Sequence, residues 1–145
     1  EDASIIAGHA GISWLPPGRF WPMEGISRGD TATASLVVGI EDTATAVGSG
    51  DVPLLATPRV LALLERAAVA ALAGKIPEGL TSVGTKVTLA HLAPCPIGSE
   101  VTGTATVIDV SGRRIEFQLD ARMGEAQIAV GEHVRFVVDE DFFRV

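Results

Sequence analysis

The chain has 145 residues, 47% of them hydrophobic and 20% charged, which is the composition of one globular domain and excludes a disordered segment. Its net charge of −7, from 18 acids against 11 lysines and arginines, lacks the basic footprint that nucleic acid requires. A single cysteine, Cys95, excludes an intrachain disulfide, and the longest strongly apolar stretch, 60–73, is too short and too charged to span a bilayer.

With no signal-peptide pattern at its acidic start, the chain reads as cytoplasmic. Residues 1–24 read as an irregular arm, broken by Trp14, Pro16, Pro17, Gly18, Trp21 and Pro22, and 25–145 as one domain. Segments 31–38 (TATASLVV) and 43–47 (TATAV) read as short strands, with a loop at 48–53. Thr57 followed by Pro58 predicts a helix start, with Thr57 as N-cap and Pro58 at the first helical position. VLALLERAAVAAL carries the helix on towards Gly74, apolar on nearly every face.

After Gly79 the pattern changes to period two. Val83, Thr85, Val87, Leu89 and His91 are expected on one helix-facing side, and PCPIG at 94–98 makes a turn. Thr102, Thr104 and Thr106 alternate with Val101, Ala105 and Val107. Ile115, Phe117, Leu119 and Ala121 alternate with Arg114, Glu116, Gln118 and Asp120. SGRR at 111–114 and MGEA at 123–126 read as hairpin turns before a last strand over 127–138. One helix cannot cover both sides of such a sheet, but a curled sheet can wrap one helix. The expected class is therefore α+β, a hotdog fold, with its free edge paired to a second copy in a homodimer.

Several residues can carry chemistry. Glu65 shares a helical stripe with Leu61, Ala68 and Leu72. A carboxylate there is either functional or a surface partner of Arg66. His91 is either a general acid–base or a histidine at the core edge. Thr57 is either a cap alone or a hydroxyl at the positive helix end, able to attack or polarise a thioester. His133 and Arg135 share a strand face with Gly131, either a solvated polar face or a cationic contact for an anion. Cys95 has no assignable base and reads as non-catalytic. The histidines lack metal-ligand spacing, and Gly48 and Gly50 lack a phosphate-loop frame, so neither metal nor cofactor is expected.

The segments ATPRVLALLERAA, VGTKVTLAHLAPCPIG and GEHVRFVV resemble the fluoroacetyl-CoA thioesterase family of hotdog enzymes, from about Gly25 to Val138. The resemblance rests on Thr57, a Glu eight residues on and a His twenty-six further. It implies catalytic roles for Thr57, Glu65 and His91, a backbone contact from Gly84 to the acyl group, a ligand contact from Arg135, and an acyl-CoA substrate. The family's fluoroacetate enzyme has an aromatic lid before the Thr. Here the loop GSGDVPLLAT has no aromatic, so the expected substrate is another short or medium acyl-CoA. A hotdog enoyl-CoA hydratase or dehydratase and a non-enzymatic acyl-binding hotdog protein are the alternatives. Eight helical residues rise about 12 Å, so Thr57 and Glu65 are expected to meet across a subunit seam.

Overall fold

The computed structural model describes residues 25–143; the expected arm over 1–24 lies outside the described residues. The chain runs β1 (Thr31–Val37), a 3-10 turn (Ile40–Asp42), α1 (Ala44–Val47), α2 (Thr57–Ala71), β2 (Leu80–His91), β3 (Glu100–Ser111), β4 (Arg114–Met123) and β5 (Ala126–Asp139). The strands form one antiparallel sheet in the order β1-β3-β4-β5-β2. Gly112 and Gly124, at φ 62° and 63°, turn the two hairpins.

The expected hotdog arrangement is present: the sheet curls over α2, which lies mainly on β1 and β3. Val60, Leu63, Leu64, Ala67, Ala68 and Ala71 are buried against Val101, Ala105, Ile115, Phe117 and Leu119. Gly103 permits the close approach, because a Cβ there would come within 2.9 Å of Leu64 Cδ2.

Three expectations need correction. Segment 43–47 is a helical turn, not a strand. The Thr43 hydroxyl accepts from Ala46 N and donates to the Ile40 carbonyl, and Gly48 closes the turn at φ 88°. These local bonds outweigh the β preference of Thr and Val. Helix α2 is not wrapped on all sides: Arg59, Ala62, Arg66, Val69 and Ala70 are exposed. Alanines made the sequence look apolar all round, but one sheet covers only one face of the helix.

The third correction is in β2. The period-two pattern breaks at a bulge: Gly84 pairs with Arg135, Lys86 with Val134, and Thr85 is the extra residue. Val83 therefore falls on the outer face with Val134, Phe136 and Val138. Gly84, Val87, Leu89 and His91 fall on the helix-facing side, opposite Arg135, His133, Gly131 and Ala129. A one-residue slip exchanges faces, so Val83 does not share a face with His91.

Candidate active site

The chain before α2 is stitched to the chain after β2. Leu55 N donates to the Cys95 carbonyl at 2.9 Å, Leu54 bridges Pro96, and Ala56 N donates to the Asp42 carbonyl at 2.9 Å. The buried Asp42 carboxylate accepts from Gly39 N at 2.9 Å and lies 3.7 Å from Arg59. These ties set the first turn of α2 over the end of β2.

Thr57 is the first residue of that turn. Ala56, not Thr57, occupies the N-cap position, and Pro58 follows in the first turn. The expected cap is corrected, with a chemical consequence: the hydroxyl is not spent on helix N–H groups. Thr57 Oγ1 instead lies 2.8 Å from His91 Nδ1. The hydroxyl can donate to this nitrogen when the ring proton sits on Nε2, and that arrangement raises the oxygen's nucleophilicity. Nε2 is covered, and a proton held there leaves Nδ1 free to accept. Burial lowers the His91 pKa below its ordinary value, with the Ala93 backbone pulling the other way. Burial thus favours the neutral ring, the form that can accept.

Beside this pair opens a groove of about 370 Å³. Ala44, Val52, Leu54, Leu92 and Pro94 give it an apolar wall, and its polar side chains are those of Ser49, Thr57 and His91. Cys95 is buried nearby, and burial raises its thiol pKa. It remains a thiol at neutral pH and acts as packing.

Glu65 lies elsewhere. Thr57 and His91 line the groove above, whereas Glu65 lines a second recess of about 220 Å³ with Leu61, Gly84, Thr85, Lys86 and His133. Its Oε2 is 3.6 Å from Arg135 Nη1 and 3.9 Å from His133 Nε2. The partner of the half-exposed Glu65 is therefore Arg135 and not the neighbouring Arg66. Gly84 explains how the carboxylate fits, because a Cβ there would come within 2.8 Å of Glu65 Oε2. Gly84 thus joins Glu65 and Arg135, and the single chain does not bring these three together with Thr57 and His91.

His133 and Arg135 do not form a solvated face. Both are buried, 1% and 7% exposed, on the helix-facing side. Arg135 Nε donates to Ser82 Oγ at 2.9 Å, Nη2 to the Ser82 carbonyl at 3.1 Å, and Nη1 lies 3.1 Å from His133 Nε2. Burial depresses the Arg135 pKa, and Glu65 opposes it. Sequence reasoning missed Ser82 and the burial of His133. The available signal was Gly84 itself, since glycine inside an alternating strand marks a bulge.

The profile of the family described as fluoroacetyl-CoA-specific thioesterase (FlK) matches residues 38–141. The fluoroacetyl-CoA thioesterase of Streptantibioticus cattleyicolor is 36% identical over 90 residues. That alignment covers 62% of this chain and 65% of the relative, a little under two thirds of its length. A mutant of FlK in complex with fluoroacetate and CoA superposes with a TM-score of 0.76 at 30% identity, covering 82% of this chain and 100% of that one. A hot-dog-like protein from Thermanaerovibrio acidaminovorans gives a TM-score of 0.76 at 31% identity, covering 86% and 90%. With its Thr57–His91 pair, its curled sheet and this match over most of its length, the chain belongs to the fluoroacetyl-CoA-specific thioesterase family of hotdog proteins.

Proposed function

We propose that this protein is a cytoplasmic homodimer that hydrolyses a short or medium acyl-CoA thioester, releasing the acid and CoA. The observation that carries the reading is the 2.8 Å contact between Thr57 Oγ1 and His91 Nδ1 at the start of a helix, beside an apolar groove. His91 accepts the proton that Thr57, or a water in its place, gives up on attacking the thioester carbonyl. The positive end of α2 favours the oxyanion.

Among the described residues the groove lining carries no lysine or arginine, so it suits an uncharged acyl chain and not the CoA phosphates. Where one water takes about 30 Å³, a groove of about 370 Å³ admits more than an acetyl unit. Exposed cations for the phosphates include Lys86 and Arg66, which line recesses beside Glu65.

The second half of the site is Glu65 with Gly84, from a two-fold related copy. Glu65 stands two helical turns beyond Thr57, at about 12 Å of rise. Among the described residues strand β2 is a free edge whose Gly84, Thr85, Lys86, Thr88 and Ala90 are exposed, a ladder suited to pairing with itself. At the seam Glu65 would orient the attacking group.

A panel of acyl-CoA thioesters assayed for thiol release tests the activity. Hydrolysis of apolar short and medium chains is expected. Hydration of crotonyl-CoA without thiol release would replace this reading with the hydratase. Mixing T57A with E65A subunits tests the seam. Random exchange should restore about a quarter of wild-type activity, and exchange without recovery would assign each site to a single chain.

A further inference from the structure

The bulge in β2 and the buried pair on β5 form one hydrogen-bonded unit. His133 Nδ1 lies 2.8 Å from the Lys86 carbonyl, next to the bulge. A carbonyl only accepts, so Nδ1 carries a proton and donates it. Nε2 of the neutral ring is then an acceptor, and Arg135 Nη1 donates to it at 3.1 Å. Ser82 holds the other two guanidinium nitrogens. The guanidinium is thus fixed on three sides, and its remaining Nη1 hydrogen is free for Glu65 Oε2 at 3.6 Å.

We propose that His133 is a positioning residue: as a neutral imidazole it holds Arg135 in place, and Arg135 in turn sets the orientation of Glu65. The proposal rests on the reading of Glu65 as part of a thioesterase site. It also gives Arg135 a part beside the ligand contact that the resemblance implies. With three of its N–H groups engaged by Ser82 and His133, the guanidinium is held where it acts on the carboxylate.

The groups facing His133 agree. Glu65 comes from α2, the Lys86 carbonyl from β2, Arg135 from its own strand, and the Phe117 ring of β4 stacks at 5.9 Å between centroids. Burial depresses the His133 pKa first. The Lys86 carbonyl opposes this, Arg135 adds to it, and Glu65 opposes it. Protonation would remove the acceptor for Arg135 and place two cations side by side. It would also draw Glu65, 3.9 Å from Nε2, towards the imidazolium.

Two measurements on the full chain test this. Nitrogen-resolved imidazole spectra, assigned with H133Q, should show His133 neutral at pH 7 with its proton on Nδ1. A charged ring or the other tautomer overturns the proposal. In the thioester assay, H133F keeps the ring volume but removes the acceptor, and kcat should fall by up to about 100-fold with KM little changed. H133Q retains an acceptor and should recover most of that loss. It should also make the acid limb of the kcat/KM profile shallower, since one protonation is gone. Equal losses in both variants, a loss confined to KM, or an unchanged acid limb in H133Q each overturn it. The spectrum and H133Q decide the matter even where H133F does not fold. A wild-type protein that hydrolyses no thioester would defeat the proposed function, while the spectrum would still decide how Arg135 is held.

Discussion

The two halves of the proposed site are built differently. The Thr57–His91 half joins the start of a helix to the end of a strand through loop bonds, and its working atoms face a groove. The Glu65–Arg135–His133 half sits on the sheet interior, where a bulge, a missing side chain and a buried cation hold one carboxylate. The first half needs little beyond correct chain ends. The second depends on register, since moving β2 by one residue would turn Gly84 away and put a side chain where Glu65 lies. Loops can carry a reacting pair when a short bond fixes them, whereas a carboxylate near the core needs a network of partners.

The largest effect should come from breaking the first half. His91→Ala should lower kcat by about 10²- to 10⁴-fold, the usual contribution of a general base, with Tm little changed because the residue lies at the core edge. Thiol release measured beside a thermal melt checks this, and near-normal turnover would remove His91 from the chemistry.

Breaking the second half should cost less. In Gly84→Ala the new Cβ would lie 2.8 Å from Glu65 Oε2, 2.9 Å from His133 Cε1 and 3.2 Å from Arg135 Nη1. Something must shift, and kcat should fall by roughly 10- to 100-fold. The overpacking should cost about 1–3 kcal/mol. Steady-state kinetics with urea unfolding separates the two effects, and a G84A variant of full activity would mean that Glu65 needs no fixed place.

Acid should weaken both halves and the fold. His91 and His133 have folded pKa values below their ordinary value of 6.5. The unfolded chain thus binds protons first, so the stability these rings contribute is present above about pH 6.5 and is lost as pH falls through 6.5 towards the folded values. Melts from pH 7.5 to 5 should show a falling Tm, with a shallower fall in H133Q. A flat profile in the wild type would contradict the burial of the neutral rings.

The smallest effect concerns selectivity. Val52, about half exposed, lines the apolar groove. Val52→Phe should narrow it and shift the ratio of kcat/KM values towards shorter acyl chains by about tenfold. Competition between two acyl-CoA thioesters measures that ratio, and an unchanged ratio would place the acyl chain elsewhere.

Much of this was legible in the sequence because it rests on local physics. Strong helix formers after Thr57 and Pro58 announced α2, and clean alternation announced β4. The same residues carry the resemblance to the family. The resemblance also singles out Thr57, Glu65 and His91 as a set, of which the single chain joins Thr57 and His91. The sequence misplaced Thr57 by one helical position, because Ala56 can start a helix whose entry is held by Asp42 and Cys95 from elsewhere in the chain. It read 43–47 as strand because Thr and Val carry β propensity while their caps are set by neighbours. Only the tertiary structure decided the parity of β2 on either side of Thr85, and with it which side chains face Glu65. The bulge changes no residue type and depends on pairing with a strand some fifty positions away, so period-two counting passes through it unaware. Burial of His133 and Arg135 was decided the same way, by the curl of the sheet over α2, a long-range packing outcome that no single strand encodes.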